Sequence, residues 1–166
     1  MGAMCYMVEI HVVNTKEDLR AALDLRVEVF VDEQKIPVCD EVDHLDNIGA
    51  ILDGKVIHVV AISNLQIVGT ARIIFDVPED EYPHIGRVAV KRIMRDNQIG
   101  RSIMNKLHHI LKEKGCPGVT LSAQVEVKDF YIKLGYMQRG ETYMDVGIPH
   151  QAVSYTHLTL PTILLV

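Results

Sequence analysis

The sequence predicts a single domain of mixed α/β class. Short apolar runs at strand spacing alternate with two longer runs at helical spacing, and glycine or proline punctuates the joins. "VEIHVV" (Val8–Val13) reads as the first strand. Asn14 stands three residues before Glu17, a capping-box spacing, and Leu19, Leu23, Val27 and Phe30 carry a helix to about Val31. Pro37 and the acidic run "CDEVDHLD" read as a loop. "KVIHVVAIS" and "QIVGTARIIF" follow as antiparallel neighbours joined at "NLQ". "PED" with Pro83 marks a turn, and "HIGRVAV" is a central strand. Ile99, Ile103, Leu107 and Leu111 fall four apart, so a helix runs to Gly115 with Pro117 beyond its end. "GVTLSAQ" is a short buried strand, and Val127, Phe130 and Leu134 mark a short helix stopped by Gly135. "YMQRGETYMDVGIPH" reads as a hairpin or paired strands. The order is β-α-β-β-β-α-β-α-β, without internal repeat or linker.

Composition bounds the function. A chain of 166 residues that is 48% hydrophobic can bury one core, and 23% charged residues is an ordinary globular share. The formal charge of −5 argues against a general nucleic-acid binder and is compatible with a cationic substrate. Cys5, Cys39 and Cys116 lack CxxC spacing and imply reduced thiols in a cytoplasmic protein. No run has the length of a membrane span, and Tyr6 stands where myristoylation needs Ser or Thr. Residues 1–7 are set aside as a cloning remnant or disordered start, which leaves residues 8–152 as the domain. Residues 153–166, ending "VSYTHLTLPTILLV", read as translated adapter or vector sequence.

The stretch "IGRVAVKRIMRDNQIGRSIM" holds the chemistry: a strand, a basic loop and a helix start. A helix N-terminus presents unpaired N–H groups and partial positive charge, so a pyrophosphate can dock there. Lys91, Arg92, Arg95 and Arg101 add cationic charge. No GxxxxGK[ST] is present and no GxGxxG follows the first strand, which disfavours P-loop and Rossmann nucleotide binding. The eight histidines form no metal pattern, and "DEVDHLDN" lacks the spacing and glycine of a calcium loop. Arg87 and Arg72, each in an apolar strand, require an ion-pair partner or a ligand.

"VAVKRIMRDNQIGRSIM" resembles the R/Q-x-x-G-x-G/A strand, loop and helix of the GCN5-related N-acetyltransferases, and "DFYIKLGY" is similar to that family's "FYEKLGF". "VFVDEQKIP", "DEVDHLD", "IGRVAV", "LSAQ" and "GIPH" resemble its small bacterial ElaA-like branch. The likeness runs from about Val8 to His150. It implies the family's fold with a splayed central strand pair, "GRVAV" and "TLSAQ", and acetyl-CoA as co-substrate wedged between them. It further implies an N-acetyltransferase acting on the primary amine of a small molecule, with no metal.

Cofactor contacts are then expected from Val88, Ala89 and Val90, from Arg95, Asp96, Asn97, Gln98, Ile99, Gly100, Arg101 and Ser102, and from Phe130. An amide at Val90 or its neighbour would polarise the thioester, and Tyr131 would protonate the departing sulfur. Glu33 and Asp43 are the candidate bases, near His44 on the acidic loop, and His150 is a further candidate at the acceptor pocket. Gln98 departs from the pattern, since the family has glycine there. It therefore requires a backbone conformation open to a side chain. The competing readings are a non-catalytic acyl-CoA-binding or sensor domain and an interaction domain with a decayed site. No membrane or nucleic-acid partner is expected. A homodimer would be ordinary for such a protein, although no stretch marks an interface.

Overall fold

The computed structural model describes residues 7–156 and 158. Its elements are β1 (Glu9–Val12), α1 (Lys16–Arg26), α2 (Val38–Glu41), α3 (Ile48–Leu52), β2 (Val56–Ser63), β3 (Gln66–Ile74), β4 (His84–Val90), α4 (Ile99–Glu113), β5 (Gly118–Gln124), α5 (Lys128–Lys133), β6 (Met137–Asp145) and β7 (Ile148–Thr156). The strands form one seven-stranded sheet in the order β1-β2-β3-β4-β5-β7-β6. The mixed α/β expectation is met. Contacts divide the chain into two compact units, residues up to 73 with 87–107, and residues 74–86 with those from 108 onward.

In the first unit β1 pairs antiparallel with β2, with Glu9 opposite Ile62 and Val12 opposite Val59. Thr15, rather than Asn14, caps α1: its hydroxyl accepts the Asp18 N–H at 3.1 Å. Beyond Arg26 the helix widens into a π segment, Val27–Glu33, a form that recurs at functional sites. Val13, Leu19, Ala22 and Val60 are buried together, with Leu23, Ile48 and Ile51 against them. Asn64 and Leu65 turn β2 into β3 with φ of 49° and 64°, a hairpin turn built without glycine. A Cβ at Gly69 would stand 2.8 Å from Ile103 Cδ1, so the glycine lets α4 lie close on β3. Along α4, Ile99, Ile103, Leu107 and Leu111 are all buried, as their spacing requires.

In the second unit β4 begins parallel to β5, with His84 opposite Thr120 and Ile85 opposite Leu121. β7 pairs antiparallel with β5 and with β6, whose register shifts between Arg139 and Tyr143. Gln151 fills that bulge, donating from Nε2 to the Arg139 and Gly140 carbonyls at 2.9 and 3.1 Å. The boundary expected before Val153 falls inside β7, which continues in register to Thr156 with Val153 fully buried. Val-Ser-Tyr-Thr is a strand-favouring alternation that places Val153 on the packed side, so it completes the strand whatever its origin. Residues 1–6, 157 and 159–166 lie outside the described residues.

Candidate active site

The turn after β4 is built by the short 3₁₀ segment Arg92–Met94 and the loop that leads into α4. Arg95 N–H donates to the Arg92 carbonyl at 3.3 Å, and Ser102 N–H closes the first turn of α4 on Gln98 at 3.1 Å. Those two amides are therefore spent. No backbone carbonyl takes the N–H groups of residues 96–101 among the described residues. Of the stretch Arg95 through Ser102, the amides of Asp96 through Arg101 are those left without a backbone acceptor.

Gln98 departs from the sequence expectation. Its φ is 60°, the left-handed region that glycine favours, so the loop keeps the glycine-like conformation despite the side chain. Asp96 is also left-handed, at 68°. A left-handed L-residue costs roughly 1–2 kcal/mol, and local hydrogen bonds must hold it. Asn97 supplies one, donating from Nδ2 to the Met94 carbonyl at 3.1 Å. Arg95 braces the loop from outside, through Nε to the Val90 carbonyl at 3.0 Å and Nη2 to Glu33 Oε1 at 3.0 Å. Glu33, the last residue of the π segment, is thereby tied to the loop. Val88 and Val90 are half-buried on β4, and Ala89 is buried.

Asp43 is drawn into a different structure. Arg26 is buried on α1 and donates to Glu41 Oε1 at 2.9 Å and to Asp46 at 2.6 and 2.9 Å. Arg72, on β3, grips Asp43 with two bonds of 2.8 and 2.6 Å and reaches Asp46 at 3.0 Å. Arg87, on β4, lies 3.3 Å from Glu41 Oε1 and 3.7 Å from Asp43 Oδ2. His58 sits beneath, its Nε2 donating to the Leu45 carbonyl at 3.2 Å. Three guanidiniums face three carboxylates. Burial works against the Asp43 charge, yet Arg72 and the Leu45 N–H hold that carboxyl well below the usual range. Such a carboxylate is a poor proton acceptor. Arg72 and Arg87 thus find the partners their strands demanded. Arg26, Glu41, Asp46 and His58 were not singled out in the sequence, although Arg26 lies seven residues after Leu19 on the apolar stripe of α1.

In the second unit Tyr131 is buried on α5, with the Phe130 ring edge-on at 5.0 Å. Burial pushes its phenol above the ordinary value. His150 donates from Nδ1 to the Ile148 carbonyl at 2.7 Å and is nearly buried within the sheet. Among the described residues no group of three or more His, Cys, Asp or Glu is placed to hold a metal. No helix there is long and apolar enough to cross a membrane.

A strand, a bent loop whose amides lack backbone acceptors and a following helix on a mixed sheet are the frame of the acyltransferase fold. Residues 39–156 match the family model described as acetyltransferase (GNAT) domain, and the chain belongs to that family. Protein ElaA of Escherichia coli (strain K12) is 34% identical over 137 residues, covering 80% of this chain and 83% of that protein. The crystal structure of Escherichia coli ElaA matches with a TM-score of 0.78 and 30% identity, over 89% of this chain and 99% of that one. An acyl-CoA N-acyltransferase from Pseudomonas aeruginosa matches with a TM-score of 0.79 and 28% identity, over 90% of this chain and all (100%) of that one.

Proposed function

We propose that this protein transfers the acetyl group of acetyl-CoA to the primary amine of a small molecule, by direct attack of the amine on the thioester. The observation that carries the reading is the loop: Gln98 holds the glycine conformation, and the amides of Asp96 through Arg101 have no backbone acceptor. Those amides, with the partial charge of the α4 N-terminus and the Arg92 and Arg101 side chains, suit a pyrophosphate. The kinship with an acyl-CoA N-acyltransferase supports the same donor.

The chemistry needs a neutral amine, a polarised carbonyl and a proton for the departing thiolate. Val88, Ala89 and Val90 supply backbone beside the acyl group, and an amide donor at Val90 stabilises the developing oxyanion by roughly 3 kcal/mol. Tyr131 delivers the proton to sulfur; its phenol carries that proton at neutral pH, as tyrosines ordinarily do. Of the two candidate bases, Glu33 suits the task better. Its side chain is 25% exposed and among the described residues pairs with Arg95 alone, whereas Asp43 is clamped by Arg72. A soluble, cytoplasmic enzyme without metal fits this chemistry.

Replacing Tyr131 with Phe tests the assignment. Turnover should fall by about 10²-fold or more while acetyl-CoA binding is retained. Unchanged turnover would remove Tyr131 from the mechanism.

A further inference from the structure

By composition, the acidic loop invites a cation. The geometry narrows the invitation: Glu41, Asp43 and Asp46 are each engaged by arginine, and Glu41 and Asp46 are sunk in the interior, which leaves Asp43, 30% exposed, as the carboxylate a ligand can reach. What the cluster leaves over is two donors, and one of them, Arg72 Nε, is buried without a partner among the described residues. Arg87 uses Nε on the Glu41 carbonyl at 3.1 Å and Nη2 on the Asp40 carbonyl at 3.3 Å. Its Nη1 has no protein acceptor among the described residues, and the side chain is 27% exposed. Arg26 and Arg72 are sunk in the interior with both terminal nitrogens satisfied. Within the cluster, Arg87 is therefore the guanidinium with an unspent nitrogen within a ligand's reach.

Two further features mark Arg87 as more than a structural cation. It sits on β4 with φ of 55°, a left-handed conformation inside a strand, and such strain collects where function over-determines the backbone. It also immediately precedes Val88–Val90, the segment assigned above to the acyl group.

We propose that Arg87 binds a carboxylate on the acceptor, so that the amine acetylated here belongs to an amino acid. This rests on the acetyl-transfer reading above. A fixed guanidinium nitrogen suits a planar monoanion. A dianionic phosphate would meet Glu41 Oε1 at 3.3 Å and Asp43 Oδ2 at 3.7 Å from the same guanidinium, which disfavours it. Asp43, 30% exposed, offers an oxygen to the N–H of the acceptor amine. The arginine–aspartate pair thus matches the two ends of an amino acid with opposite charge. Asp43 in this arrangement is a positioning residue, since Arg72 leaves it too acidic to take the proton.

The test compares matched acceptors on the full chain at saturating acetyl-CoA: lysine against cadaverine, and phenylalanine against phenethylamine. The amino acids should be acetylated with a kcat/KM higher by about tenfold or more, the worth of one charged hydrogen bond. Arg87→Gln should raise the KM of the amino acid by a similar factor, leave the KM of acetyl-CoA unchanged and erase the preference. Arg87→Lys should restore part of it. Equal or better use of the decarboxylated amines by the wild-type protein would overturn the proposal, whatever the stability of the variants. So would a preference that survives Arg87→Gln. Acetyl-CoA binding without acetylation of any amino acid would sink this proposal alone, while absence of acetyl-CoA binding would sink the parent reading as well.

Discussion

Replacing Asp46 with Asn removes one charge and almost no volume, and it probes the buried network directly. The Asp46 side chain is 0% exposed and accepts Arg26 Nη1 at 2.6 Å, Arg26 Nη2 at 2.9 Å, Arg72 Nη1 at 3.0 Å and the Asp43 N–H at 2.9 Å. Without its charge, three guanidiniums face two carboxylates, with Arg26, Arg72 and Glu41 out of reach of water. Breaking a buried pair from one side typically costs about 3–5 kcal/mol, a large part of a whole domain's roughly 5–15 kcal/mol. For a chain of this size that is a drop in Tm of about 6–20 °C. Urea unfolding followed by circular dichroism should show a lower midpoint at unchanged slope. The double variant Arg26→Met with Asp46→Asn restores the balance, leaving Arg72 and Arg87 against Glu41 and Asp43. It should therefore be less destabilised than the sum of the two single changes. A loss below about 1 kcal/mol for Asp46→Asn would refute the reasoning, since the carboxylate would not then be holding the arginines.

Gln98→Gly should relieve a left-handed side chain, leaving stability unchanged or raised by up to about 1 kcal/mol, and should keep or tighten acetyl-CoA binding. A large loss of affinity would make the Gln98 side chain itself a contact. Stability should fall as pH drops below about 6.5. His58 and His108 are kept from protonating by burial, His108 down to about 4 with Lys112 contributing, while the unfolded chain takes up those protons near the ordinary histidine value. Below about pH 4 a second loss follows, because Asp43 and Asp46 are held under the usual carboxylate range by Arg72 and Arg26 and must be protonated in the unfolded state first. Urea midpoints measured from pH 8 to pH 3 check both steps, and a flat profile between pH 7 and 5 would contradict the first.

Much of the fold was legible because its long elements obey a period. "HIGRVAV" and "GVTLSAQ" are β4 and β5, and four buried residues at spacing four define α4. Short elements were not: α2 and α3, of four and five residues, lack the length for a period to show. Asn14 and Thr15 are both good caps, and only the observed bond to Asp18 chooses between them. At the site, the loop was readable from its charges and Gly100, but the φ of Gln98 was not, since residue type only biases φ. The ion pairs of Asp43 were hidden for a related reason. A run of acidic residues reads as a loop until the arginines that meet it, 29 residues away at Arg72 and more distant at Arg87, are folded against it. Arg26 carried a usable signal, a cation on an apolar helical stripe, which points to a buried partner.

The most direct test of the central claim is calorimetric titration of acetyl-CoA into the full chain. Binding with a Kd in the micromolar range, about −8 kcal/mol, and binding of CoA as well, is the expected result for a loop whose free amides receive the pyrophosphate. No heat at millimolar ligand would mean that the loop with Gln98 does not receive CoA, and the acetyltransferase account of this protein would fail.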